Sequence, residues 1–153
     1  MFGLRKRVIV IVLVCLVPIP ASAGNPKDPE PKVRITCIAS EGFLIETDHD
    51  KILIEALYGE EACSFCDNPS DEALQDMIHA RGEYSNIDLV AVTHMHRDHF
   101  FAPFVSDHLS YNLAGKFISC GQSVELLSQE EVFEKFSDRV IEFTPGSPMY
   151  ADT

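Results

Sequence analysis

The stretch Ile87-Asp-Leu-Val-Ala-Val-Thr-His-Met-His-Arg-Asp-His99 decides how the rest of the chain is read. Its first seven residues form a near-continuous apolar run, the pattern of a strand buried on both sides of a sheet. Its last six positions hold four metal-ligand types, His94, His96, Asp98 and His99, directly where that strand ends. Three of the protein's six histidines are gathered there. In extended backbone alternate side chains point the same way, so His94 and His96 reach one ion together. A turn into a helix then brings Asp98 and His99 from the other side to hold a second ion. Imidazole nitrogen and carboxylate oxygen suit zinc, with iron or manganese as alternatives where carboxylates are more numerous.

Working outward, Val33-Arg-Ile-Thr-Cys-Ile38 alternates apolar with mostly polar residues and predicts a half-buried strand. Gly42 to Thr47 predicts a second strand and Lys51 to Glu55 a third, joined as a hairpin through the turn Asp48-His-Asp50, where His49 reads as a solvated loop residue. After Pro69, Ser70 caps a predicted helix whose first turn carries Asp71 and Glu72; it runs to Ala80 and stops at Gly82. Leu74, Met77 and Ile78 share one face of that helix and are core candidates. Beyond the histidines, Pro103 starts a predicted helix to about Leu113, closed by Gly115, and Lys116 to Ser119 is a short strand. Ser128-Gln-Glu-Glu131 has the form of a capping box for a helix reaching Phe136, and Arg139 to Phe143 makes a last strand.

These residues carry a family resemblance. The motif His94-Met-His96-Arg-Asp98-His99 after a buried strand resembles the signature of the metallo-β-lactamase superfamily. Glu41-Gly-Phe-Leu-Ile-Glu46 and Lys51-Ile-Leu-Ile-Glu-Ala56 look like that fold's first hairpin, and Leu89 to Phe100 is similar to its metal-loop strand. The resemblance covers roughly Val33 to Ile141. It implies an α+β fold, the N-terminal half of an αββα sandwich, as a mixed sheet with helices on one face. It also implies one or two zinc ions, with His94 and His96 on the first, Asp98 and His99 on the second, and Asp98 orienting a metal-bridging hydroxide that serves as nucleophile against a small-molecule substrate. The implied activity is metal-dependent hydrolysis, and its alternative is a non-catalytic remnant or interaction module of the same fold. In the family a third histidine, a bridging aspartate and a last histidine come from the C-terminal half, which the 153 residues do not reach, so the expectation is a C-terminally incomplete domain over 33–153. His108 falls inside a predicted helix as a helix-face residue, and Asp107, Asp138 and Asp152 are equally poor stand-ins. A missing second layer predicts an apolar sheet face open to a second copy or a complementing chain.

Composition agrees with a single folded domain, at 46% hydrophobic and 24% charged residues. The basic head Arg5-Lys-Arg7, the apolar run Val8 to Val17 and Ala21-Ser-Ala23 together predict a signal peptide over 1–23 with a flexible leader over 24–32, hence export to the periplasm or outside the cell. Ten apolar residues are too few to cross a bilayer, which takes roughly 20, so no stable membrane anchor is expected after cleavage. Cleavage leaves nine basic residues against 24 acidic ones, a formal charge of −15. Such a surface repels phosphate backbones and excludes nucleic acid as a partner. Cys37, Cys63, Cys66 and Cys120 then allow two disulfides, and Cys63-Ser-Phe-Cys66 fits a disulfide, two free thiols, half a zinc knuckle or a redox pair.

Overall fold

A computed structural model of the chain describes residues 32–59, 67–144 and 146. The expected signal peptide, most of the leader, the Cys63–Cys66 pair and Asp152 lie outside these residues. Six strands form one mixed sheet in sequence order: β1 (Arg34–Cys37), β2 (Phe43–Glu46), β3 (Lys51–Ile54), β4 (Leu89–Ala91), β5 (Lys116–Cys120) and β6 (Val140–Phe143). β1, β2 and β3 pair antiparallel, and β3 through β6 run parallel. The helices α1 (Asp71–Ile78), α2 (Ala102–Tyr111) and α3 (Gly121–Leu127) supply the crossovers. The fold is therefore α+β, and none of the described helices is long and apolar enough to cross a membrane.

The register sorts the sheet into two unlike faces. Leu44, Leu53, Val90 and Phe117 lie on one face and are essentially inaccessible, packed in the same cluster as Met77, Val105 and Leu109 of the helices and Leu127 of α3. The opposite face carries Ile45, Ile52, Ile54, Leu89 and Ile118, all half-buried, and Phe43 and Ile35, which are 37% and 64% exposed. Nothing among the described residues covers it. In water this face costs free energy for every Å² of apolar surface left accessible.

α1 starts as its sequence predicts, with the Ser70 hydroxyl accepting from Ala73 N–H at 3.2 Å. It ends two residues early. Arg81 N–H donates to the Asp76 carbonyl and Ala80 N–H to that of Met77, a closing pattern whose left-handed residue is Ala80 at φ +49°, ahead of Gly82. β4 is likewise shorter than the apolar run suggests. Ile87 and Val92 stay buried, yet Thr93 N–H turns to the Glu55 carboxylate at 2.6 Å and Asp88 accepts from Lys51 N–H at 2.7 Å. Past the backbone bonds that Asp88 and Val92 still make to neighbouring strands, side chains take up the next N–H groups.

The helix expected from Ser128 to Phe136 is corrected. The helix lies upstream, as α3, and residues after it form turns and short 3-10 segments at Phe133–Lys135 and Ser137–Arg139. Ser128 is committed to that preceding helix: its N–H donates to Val124 O at 2.9 Å and its hydroxyl to Glu125 O at 2.7 Å. Its backbone is helical, at φ −66° and ψ −12°, and lacks the extended conformation from which an N-cap serine accepts forward.

Candidate metal centre

Parallel strands β3, β4 and β5 end side by side, and the chemistry-bearing residues lie just past those ends, where open parallel sheets place their ligand sites. Ile54 pairs with Ala91, so the next residues, Glu55 and Val92, come out level. Beyond Val92 the chain leaves the sheet through a bend at Thr93 and a loop to His96, then makes a turn over Arg97–His99. That turn is closed by His99 N–H and Phe100 N–H, both donating to the His96 carbonyl, at 3.0 and 2.9 Å. Phe100 is 2% exposed and stacks on Phe117, and Phe101 N–H donates to Leu57 O at 3.0 Å, so the loop is anchored to the core immediately after its last histidine.

The turn gathers the three imidazoles. The His94 ring centroid is 4.6 Å from that of His96 and 4.0 Å from that of His99. Asp98 lies beside them, its Oδ2 3.7 Å from His99 Nε2 and its side chain one-third exposed. All four residues of the motif are therefore adjacent, with His94 and His99 half-buried and His96 exposed.

Sequence reading missed the residue that completes the cluster. Glu55 is 6% exposed, and both of its carboxylate oxygens are engaged: Oε1 accepts from Thr93 N–H at 2.6 Å and Oε2 contacts His99 Nδ1. One ligand atom from each of Glu55, His94 and His99 lies within 4.8 Å of the others, a donor set that fits a divalent transition-metal ion. Neither His96 nor Asp98 belongs to that close group. The available signal was a carboxylate ending the apolar run Lys51-Ile-Leu-Ile-Glu55, since a charge at the buried end of a strand requires a partner.

The surroundings are acidic and partly apolar. Burial raises the Tyr58 phenol above its ordinary value, opposed by a hydrogen bond with the Glu41 backbone and reinforced by the Glu41, Asp98 and Asp67 carboxylates. Between the histidines, Met95 and Arg97 line a hollow of about 240 Å³ with Phe101, Pro103 and Glu130, and the Arg97 guanidinium sits 5.9 Å above the Phe101 ring.

His108 is placed far from a ligand role. It is fully buried in α2, with Nδ1 2.6 Å from the Met77 carbonyl and Nε2 3.3 Å from the Asn112 amide, so it joins α1 to α2. Asp107, on the same helix, is exposed, as is Asp138. Cys37 and Cys120 are free thiols on the uncovered side of the sheet. Comparison with known proteins finds no matching family model, no matching curated protein and no matching solved structure.

Proposed function

We propose that this chain is a metal-dependent hydrolase of the metallo-β-lactamase superfamily, its sheet and helices forming the N-terminal half of an αββα sandwich. The observation that carries the reading is the placement of His94, His96, Asp98 and His99 at the end of a central parallel strand, turned so that three imidazoles stand within ring-contact distance. The four are proposed as metal ligands, with zinc as the ion. When bound, zinc lowers the pKa of a water to about 7 and polarises an acyl or phosphoryl group under attack. The chain's own residues then hold and orient. Thr93 fixes the His94 ring through Oγ1 at 2.8 Å from Nδ1, and Asp98, one-third exposed beside His99, would orient a water at the site. The substrate is a small molecule, the strongly acidic composition argues against nucleic acid, and the N-terminal sequence supports export to the periplasm or beyond.

The test is zinc content of the purified chain together with hydrolysis of generic ester, lactam and phosphodiester substrates. Zinc-dependent turnover that His94→Ala and His96→Ala abolish is expected. A chain without bound zinc, or with turnover unchanged in both variants, removes the proposal.

The apolar sheet face that no described residue covers favours a second reading, an interaction module of the same fold. Its exposed apolar residues sit on the face and edge that an associating copy or complementing chain would cover. Sedimentation of the wild type against the double variant Ile35→Ser, Phe43→Ser tests it: association weakens in the variant, and an unchanged distribution removes the reading.

A further inference from the structure

We propose that the hollow which Arg97 lines beside α2 and α3 is a binding site for a small aromatic carboxylate, its anion taken by Arg97 and its ring by Met95, Phe101 and Leu126. The hollow holds about 240 Å³, just under the roughly 300–1,000 Å³ of pockets that take drug-sized molecules, so its occupant is small. None of His94, His96, Asp98 and His99 lines it, and the site goes beyond the proposed hydrolysis without resting on it. The anion end is set by Arg97. In a chain with 24 acidic residues against 12 basic ones, its guanidinium makes no ion pair and no hydrogen bond with any described residue. Arg34, Arg81 and Arg139 all donate to carboxylates or carbonyls. Arg97 instead lies 5.9 Å above the Phe101 ring, a contact made through its π surface that uses none of its N–H donors. A carboxylate can accept two of those donors in parallel.

The rest of the wall selects the ring and the charge. Met95 and Leu126 are 40% and 38% exposed, and both stand on the hollow, with Phe101 and Pro103 completing its apolar side. An apolar occupant removes that surface from water. A thioether that can lie at a ring edge and a guanidinium already stacked on a ring both favour an aromatic group over an alkyl chain. The polar side includes the half-buried Glu130. Burial raises its pKa, and the Asp107 and Glu131 carboxylates raise it further. These neighbours disfavour a phosphate, whose second charge would add to theirs, and leave a monoanion as the fitting partner of a single arginine.

The experiment is titration of the full chain with phenylacetate in excess EDTA, read by ¹H–¹³C spectra of the methionine methyls. A saturable shift of the Met95 methyl is expected, with a Kd of about 1 mM or below, while the methyl of Met77, in the core, stays in place. Arg97→Met keeps the apolar bulk and should weaken binding by about tenfold or more; undiminished affinity overturns the proposal. Acetate and benzyl alcohol each carry half of the ligand's chemistry and should bind more weakly than phenylacetate by a similar factor. Equal affinity for benzyl alcohol, or for inorganic phosphate, overturns the proposal by showing apolar contact only or an adventitious ion only. These arms use the wild-type chain and decide the matter even where the variant does not fold. Absence of a Met95 shift also overturns it. With Zn²⁺ in place of EDTA the two sites separate: a shift that appears only with zinc puts the carboxylate on the metal and overturns the hollow. A shift in EDTA supports the hollow whether or not the chain hydrolyses any substrate.

Discussion

Acid should destabilise this protein through His108, and the size of the effect follows from its surroundings. The ring is fully buried between α1 and α2. Its Nδ1–H donates to the Met77 carbonyl and its Nε2 accepts from the Asn112 amide, which also donates to Ile87 O at 2.6 Å. A proton on Nε2 would set two donors against each other, and turning the amide would leave Ile87 O unpaired. Burial is the main influence lowering the His108 pKa; the Met77 carbonyl opposes it and the Arg139 guanidinium adds to it. The folded pKa is therefore below the unfolded value of about 6.5. Above pH 6.5 both states are neutral and nothing is lost. As pH falls below 6.5 the unfolded chain takes up a proton that the folded one resists, so stability declines by at most about 1.4 kcal/mol per pH unit. Over the 1.5 units from pH 6.5 to 5.0 the limit is about 2 kcal/mol.

Urea denaturation of the wild type and of His108→Gln, at half-unit steps from pH 8 to 5, measures this. Glutamine can still donate to Met77 O but does not titrate. The variant should be less stable by about 1–3 kcal/mol at pH 7.5, and the gap should narrow as pH falls. Every other group is common to both proteins and cancels in the difference. Parallel stability curves from pH 6.5 to 5.0 would refute the reasoning.

Two further perturbations test local features. Ala80→Gly should stabilise the protein by roughly 0.5–1 kcal/mol, because Ala80 occupies the left-handed position closing α1 at φ +49°; a lower thermal midpoint would contradict this. Arg139→Met should cost roughly 2–4 kcal/mol, since its guanidinium donates to the carbonyls of Leu109, Asn112 and Gly115 at the end of α2. A urea midpoint within error of wild type would show that water satisfies those carbonyls equally well.

Much of the fold is legible in local pattern. The first hairpin, the start of α1 at Ser70, the start of α2 beside Pro103 and the three later strands follow from alternation, capping residues and turn chemistry, all set within a few positions of chain. Where local signals compete they mislead. Ser128-Gln-Glu-Glu131 has the spacing of a capping box, but its serine is bound to the helix before it, and the fully buried Phe136 pins the following turns to the core. Gly82 is the natural stop for α1, but the chain reverses two residues earlier.

The candidate site divides the same way. His94, His96, Asp98 and His99 are visible as a cluster because six consecutive positions leave them nowhere to go but near each other. Glu55 is 44 residues from His99, and only the parallel register of β3 with β4 brings its carboxylate to that ring. His108 shows the converse, nine residues from the motif yet turned into the interface between α1 and α2. By itself the sequence determined which elements form and where the ligand-type side chains concentrate, because those depend on near neighbours and on periodicity. Which residue completes the cluster, and which sheet face the helices cover, were decided by tertiary structure alone, because both depend on which strands lie side by side.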